Sequence, residues 1–314
     1  MPLAETVPNP IATTISIKNL LFATDFSEAS AAAFPYAVAI CHHYGATLHA
    51  THVVTENAFV MSSGWADPSL IGAAYESTRN LAQAKMHELA TCMAGVPHRT
   101  WVCTGEFWDA LAEVVAVNRI DFLVSGTHGR TGMSKLLMGS TAEEILRRAH
   151  CPVLTVGPRV HGQSGTRGRT ANGDFAPAEI NLQRIVYATN LKPHSLAARY
   201  FAFSLAREFQ AQLTLLHVNE DQASLTRNRE LLSANRRLQE MLYGEENLQT
   251  RPECVVEHGP AADRILETAS QQHADLIVLG VRPPGYLGVA THIPWATVPK
   301  VVAGARCPVL TVRG

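Results

Sequence analysis

The chain is short of charge and of aromatic rings. Of its 314 residues, 17% are Asp, Glu, Lys or Arg and 7% are Phe, Trp or Tyr. The 26 basic and 27 acidic residues leave a formal net charge of -1. No basic surplus is available to draw a nucleic acid. No apolar run approaches the ~20 residues of a membrane span. The opening Met1-Pro2-Leu3-Ala4 lacks the basic-then-apolar order of a signal peptide. None of the six cysteines stands in a C-x-x-C pair, which argues against a zinc ribbon or a thioredoxin-type site. An even cysteine count in a chain this long does not by itself imply disulfides. These absences point to a soluble cytoplasmic protein with reduced thiols and no nucleic-acid or membrane partner. What remains is 46% hydrophobic, enough for a real core, in a length that suits two domains.

The chain repeats itself. Cys151-Pro152-Val153-Leu154-Thr155-Val156 returns 156 residues later as Cys307-Pro308-Val309-Leu310-Thr311-Val312. Leu20 to Asp25 resembles Ile185 to Asn190, and His52-Val53 matches His217-Val218, both pairs 165 residues apart. Gly105 matches Gly259, and Asp121 to Gly126 matches Asp275 to Gly280, now 154 apart. Ordered matches of this kind mean a duplicated domain. The fall from 165 to 154 places extra residues in the first copy, around Asn57 to Pro68. The expected division is a loose tail over 1–16, a first domain over 17–157, a flexible linker over 158–181 and a second domain over 182–314. The linker assignment follows from glycines and scattered arginines without a hydrophobic period.

Each copy alternates short apolar runs with longer helical patterns. In the first copy, strands are expected at Asn19–Thr24, Thr47–Val53, His98–Cys103, Asp121–Ser125 and Val153–Val156. Helices are expected at Ser27–Tyr44, Pro68–Ala94, Phe107–Asn118 and Thr141–Ala149. Strands separated by helices must lie parallel in a sheet covered on both faces. The fold class is therefore α/β, with two repeated doubly wound domains. Such sheets bind ligands at the carboxyl ends of their strands, where the winding reverses.

One stretch carries the chemistry. The apolar run Phe122 to Ser125 leads into Gly126-Thr127-His128-Gly129. Nine residues later come Gly139-Ser140-Thr141 and a helix start. Backbone N–H groups approach an anion closely where no side chain intrudes, and a helix N-terminus adds unpaired donors and a favourable dipole. The order strand, glycine loop, helix is thus a natural seat for phosphate.

Taken together, Ala23-Thr24-Asp25-Phe26-Ser27, His52-Val53, the Gly126-x2-Gly129-x9-Gly139-Ser140 loop and the Cys-Pro-Val-Leu-Thr-Val strand resemble the universal stress protein family in its tandem form. The resemblance implies an adenine nucleotide alpha hydrolase-like fold with strand order 3-2-1-4-5. It implies ATP binding where the loop is kept, and pairing of domains through the last strand, which a tandem chain can form internally or in a homodimer. Carried over residue by residue, it puts Asp25 at the adenosine end, with Ala23 and Thr24 at the pocket floor and Val53 beside adenine. Gly126, Thr127, His128, Gly129 and Arg130 would follow ribose and phosphates, and Gly139, Ser140 and Thr141 would hold the outer phosphates. Mg²⁺ is expected with the triphosphate, and no carboxylate cluster dedicated to a metal is visible. The second copy departs from the pattern. Asn190 replaces Asp25, Pro283 replaces Gly129, and Trp295-Ala296 replace Gly139-Ser140. ATP is expected in the first domain alone.

Plainer roles compete for the same residues. Asp25 suits an N-cap or the turn after the first strand. Ser140 with Glu143, or Thr141 with Glu144, suits a capping box. Cys103 and Cys151 read as buried small apolar side chains, and Trp101, Trp108 and Trp295 as packing residues. The pairs His42-His43 and His49/His52 point apart, against a metal site. No nucleophile and base are assembled, so no catalytic residue is assigned; weak ATP hydrolysis or self-phosphorylation on Ser140 stays open. The rival functions are a nucleotide-independent interaction module and a nucleotidyl-transferring enzyme. The latter's S-G-G-x-D-S and H-I-G-H signatures are missing.

Overall fold

The computed structural model describes residues 14–55, 68–93, 95–127, 138–160, 166–167, 179–192, 196–220, 227–245, 248–281 and 297–314. In the first copy, β1 (Asn19–Ala23), β2 (Thr47–Val54), β3 (His98–Thr104), β4 (Phe122–Gly126) and β5 (Val153–Val156) alternate with α1 (Glu28–Tyr44), α2 (Pro68–Thr91), α3 (Phe107–Val117) and α4 (Ser140–Arg148). A short antiparallel pair, β6 (Thr166–Arg167) with β7 (Glu179–Ile180), lies within the segment expected to be a linker. The second copy repeats the pattern with β8 (Arg184–Ala188), α5 (Leu196–Glu208), β9 (Gln212–Asn219), α6 (Arg227–Glu240) and β10 (Glu253–His258). It continues with α7 (Ala261–Gln271), β11 (Leu276–Val281), α8 (Thr297–Gly304) and β12 (Val309–Arg313).

Ten strands form one sheet in the order β10-β9-β8-β11-β12-β5-β4-β1-β2-β3. Each half is parallel and reads 3-2-1-4-5. The halves meet where β12 runs antiparallel to β5, with Leu310 opposite Leu154. There the Thr311 hydroxyl donates to the Val153 carbonyl at 3.2 Å. Burial follows from the strand period: alternate residues of each strand feed two different cores. One core joins Leu20, Phe22, Leu154 and Leu310 to α1, α2, α5 and α6. The other joins Leu21, Leu123, Val153 and Val309 to α3, α4, α7 and α8. Each core is continuous across both halves.

Local signals set the ends of α1. The Ser30 N–H donates to the Ser27 hydroxyl at 3.2 Å, making Ser27 the N-cap. At the other end Gly45 adopts φ 65°, the left-handed stop that glycine tolerates best. In front of β1, Ile15 and Ile17 are 5% exposed. Ile15, expected in the loose tail, therefore belongs to the core, held by apolar burial, while Thr14 and Ser16 are exposed. A paired aspartate secures each β1-type strand. Asp121 accepts from the Lys18 and Asn19 N–H groups, and Asp275 accepts from those of Gln183 and Arg184.

Candidate functional site

The carboxyl ends of β1 and β4 lie side by side, Ala23 level with Ser125. β1 is followed by a helix on one face of the sheet, and β4 by a helix on the other. The winding therefore reverses between them, which is where an open α/β sheet receives a ligand.

The chain after β1 is a rigid polar turn. The Ser27 N–H donates to Asp25 Oδ1 and the Phe26 N–H to Thr24 Oγ1, both at 3.0 Å. The Thr24 hydroxyl donates to Ser30 Oγ at 3.0 Å. Phe26 sits at φ 61°, and its ring lies 4.6 Å from that of His52. His52 Nδ1 is 2.8 Å from the Thr24 carbonyl, so Nδ1 carries the proton and fixes the end of β1. Asp25 is thus the side chain that closes the turn, and the N-cap is Ser27. Lys85 from α2 brings its ammonium to 5.6 Å from the centre of the Phe26 ring.

Gly126 ends β4 against the backbone of α1. A Cβ there would stand 2.5 Å from the Ala29 carbonyl oxygen. Packing alone demands glycine at this position, whatever a ligand requires. Thr127 follows, fully buried. Across the loop, the Gly139 N–H donates to the Thr127 carbonyl at 2.7 Å, so the loop leaves and returns at one point beside β4. Gly139 is the N-cap of α4 and has no side chain to offer. This corrects the capping-box expectation: Ser140 and Thr141 are the first helical residues, one and two places past the cap. Their Glu partners turn along the helix instead, Glu143 to Arg147 at 2.7 Å and Glu144 to Arg148 at 3.4 Å. The first-turn N–H groups of α4 have no intrahelical partners, and the macrodipole favours an anion there. Val53 lies half-buried near the end of β2, in register with Cys103. The structure brings Ala23, Thr24, Asp25, Gly126, Thr127, Gly139, Ser140 and Thr141 to the same edge of the sheet. His128, Gly129 and Arg130 lie outside the described residues.

The second copy rebuilds the turn. The Lys192 N–H donates to Asn190 Oδ1 and the Leu191 N–H to Thr189 Oγ1, both at 3.0 Å. His217 Nδ1 is 2.9 Å from the Thr189 carbonyl, and Leu191 takes φ 60°. Arg237 of α6 donates to the Leu191 carbonyl, so a cation from the helix after the second strand meets the turn in this copy too, by a different contact. Pro283, Trp295 and Ala296 lie outside the described residues. Sequence reasoning passed over Lys85 and Arg237, because only the packing of α2 and α6 brings them to the turn.

Titratable groups nearby are engaged structurally. His49 accepts from Trp101 Nε1 at 3.3 Å and lies 3.3 Å from Asn19 Oδ1. Burial, aided by Arg99, holds its pKa below the ordinary histidine value. His217 is also lowered, chiefly by burial, with Arg237 and His258 adding to the effect. His43 meets Glu208 at 2.6 Å. Among the described residues no group of three or more His, Cys, Asp or Glu is placed to hold a metal ion, and no helix is long and apolar enough to cross a membrane. The six cysteines are free. Cys103 and Cys151, expected to be buried, are half-buried; Cys41 and Cys307 are the buried ones. Burial pushes the Cys151 thiol up to about 11. Trp101 and Trp108 pack against the second core, while Trp295 lies outside the described residues.

A doubly wound α/β half, repeated once, with a glycine-bounded loop at the switch point of the first copy, defines the class of fold. The comparisons narrow it. The model of the universal stress protein family matches residues 16–157 and again 181–313. The chain belongs to the universal stress protein family, in its tandem two-domain form. A universal stress protein of Methanocaldococcus jannaschii is 31% identical over 139 residues, covering 44% of this chain and 81% of the relative. Universal stress protein A homolog 1 of Coxiella burnetii is 31% identical over 140 residues, covering 44% and 95%. The crystal structure of a universal stress protein from Archaeoglobus fulgidus superposes with a TM-score of 0.60 at 17% identity, covering 94% of this chain and 97% of that one. At that identity the likeness concerns the fold.

Proposed function

We propose that the first half binds ATP with Mg²⁺ at the carboxyl edge of β1 and β4, and that the protein uses the nucleotide as a regulatory ligand. One observation supports the reading: the Gly139 N–H donates to the Thr127 carbonyl beside the end of β4, and α4 opens on a residue with no side chain. That leaves first-turn N–H groups for phosphate oxygens. Ser140 and Thr141 add hydroxyls at the same helix end. Asp25 keeps its turn bond and turns its remaining oxygen to the adenosine end, with Ala23, Thr24 and Val53 around the base. His128, Gly129 and Arg130 complete the loop. The metal ion arrives with the triphosphate and keeps most of its waters.

The second half, over 182–314, serves as a degenerate copy and structural partner. It takes the place of the second subunit of a dimer by pairing β12 with β5 inside one chain, and the first domain and linker divide as the sequence analysis sets out, with Ile15 added to the first domain. The working compartment is the cytoplasm. ATP acts by stabilising the conformation it prefers, and no dedicated turnover is assigned.

The packing at Gly126 favours a second reading, a nucleotide-independent interaction module, because that glycine is explained without a ligand. Calorimetry with Mg²⁺ and ATP separates the two. Binding by the wild type that is lost in Gly129→Ala plus Gly139→Val supports the nucleotide reading. No heat with the wild type sinks it.

A further inference from the structure

The joint between the halves encloses an apolar cleft of about 560 Å³, counting its opening to solvent. It lies on the face of the sheet covered by α1 and α5, over β5 and β12. Its walls repeat. Tyr36 and Phe201, Ile40 and Leu205, and Tyr44 and Phe209 all line it, and each pair stands 165 residues apart in the duplicated sequence. The strands and their lead-in segments do the same, with Leu154 matched by Leu310 and Ile17 by Leu182. The cleft therefore sits on the local twofold axis of the duplication. It is far in chemistry from the glycine loop, which is a main-chain seat for an anion.

We propose that this cleft binds an uncharged, predominantly hydrocarbon small molecule that bridges the two halves. Three observations set that class. The walls are aliphatic and aromatic side chains from both copies, with Asp275 as the acidic exception. The polar groups at the rim are already used by the protein: the Tyr44 hydroxyl donates to Glu208 at 3.0 Å, and Asp275 Oδ2 accepts from Gln183 and Arg184 at 2.9 Å. A charged or strongly hydrogen-bonding ligand entering here loses its water without compensation. The room inside it for the centres of water-sized spheres is about 60 Å³, several times the ~15 Å³ that one water needs, whereas protein interiors otherwise close to crystal-like density. A ligand in this position touches α1 and α5 at once and stabilises the joint by its preference for the assembled form.

The test uses the full chain and N-phenyl-1-naphthylamine, an uncharged probe that fluoresces in apolar surroundings. The expected result is saturable enhancement at about one probe per chain, unchanged by saturating Mg²⁺ and ATP, with a raised melting temperature. Leu205→Trp, which fills the cleft from α5, is expected to weaken the probe at least tenfold. Ile40→Phe fills it from α1 with a smaller insertion and serves if the first variant does not fold. Absence of saturable enhancement, displacement by ATP, or equal affinity in a folded filled variant overturns the proposal.

Discussion

The carboxyl edges of the two halves match almost bond for bond at the first turn and differ in the sequence of the loop beside it. Thr24, Asp25 and His52 on one side, and Thr189, Asn190 and His217 on the other, make equivalent hydrogen bonds, none differing by more than 0.1 Å. An amide oxygen closes the turn as well as a carboxylate does. The turn is therefore part of the fold's architecture, and its presence says little about a ligand. What separates the halves is the stretch that opens the fourth helix: Gly139-Ser140 in the first copy, Trp295-Ala296 in the second.

That contrast can be broken directly. Gly139→Val puts a branched side chain at the N-cap of α4, over the first-turn N–H groups. The expected result is a loss of ATP affinity of about 100-fold or more, with the fold intact; each ~1.4 kcal/mol is tenfold. Normal ATP binding by the Gly139→Val variant removes the loop from the account. Next in size is Gly126→Ala. Its Cβ would meet the Ala29 carbonyl at 2.5 Å, and forced overpacking of this kind costs about 1–3 kcal/mol. Urea unfolding is expected to show the upper part of that range even without nucleotide. A neutral outcome would mean that α1 shifts freely off β4.

Asp25→Asn copies the second half's turn into the first. Stability is expected to stay within about 0.5 kcal/mol, while ATP affinity falls about tenfold through loss of a charge-assisted bond. If stability drops instead, the two turns are not equivalent. At the joint, the Arg313 guanidinium donates to the Leu146 and Arg147 carbonyls at the end of α4, at 2.9 and 2.8 Å. Its counterpart 156 residues earlier is Gly157, where a Cβ would lie 2.3 Å from the Val302 carbonyl. Arg313→Ala is expected to cost about 1–2 kcal/mol, seen as a lower denaturation midpoint.

The smallest effect concerns pH and is shared by both halves. His49 and His217 have pKa values lowered in the folded state. Folding therefore favours their neutral forms. The stability they contribute is complete above the unfolded value of ~6.5 and is lost as the pH falls below it. Melting temperature is expected to decline from pH 7.5 to 5, and His49→Gln with His217→Gln to flatten the slope. A rise in stability toward acid would reverse the sign and refute the assignment.

Much of the fold was legible because its signals are local. Alternation marked the strands, and β5 falls at Val153–Val156 as expected. Ser27 and Gly45 bounded α1, and the repeated hexapeptide exposed the duplication. Tertiary distances were not legible. Glycine at position 126 reads as loop chemistry until α1 is seen against it. The capping box failed because the sequence offers Ser140 and Thr141 equally well as caps, and the chain enters the helix one residue earlier, at Gly139. Cys103 reads as buried, but β3 is an edge strand and covers it on one side only. Ile15 looked like tail because the joint that buries it lies between the copies, out of reach of any single-copy pattern. The cleft on the local twofold axis is of the same kind, since each wall is an ordinary amphipathic face until the two copies meet.

The central claim is that nucleotide binds to one half of a nearly symmetric molecule. Isothermal titration of the full chain with ATP in the presence of Mg²⁺, followed by mass measurement of the intact complex, tests it most directly. The account predicts one ATP per chain, abolished by Gly139→Val. Two per chain, or none, would contradict it.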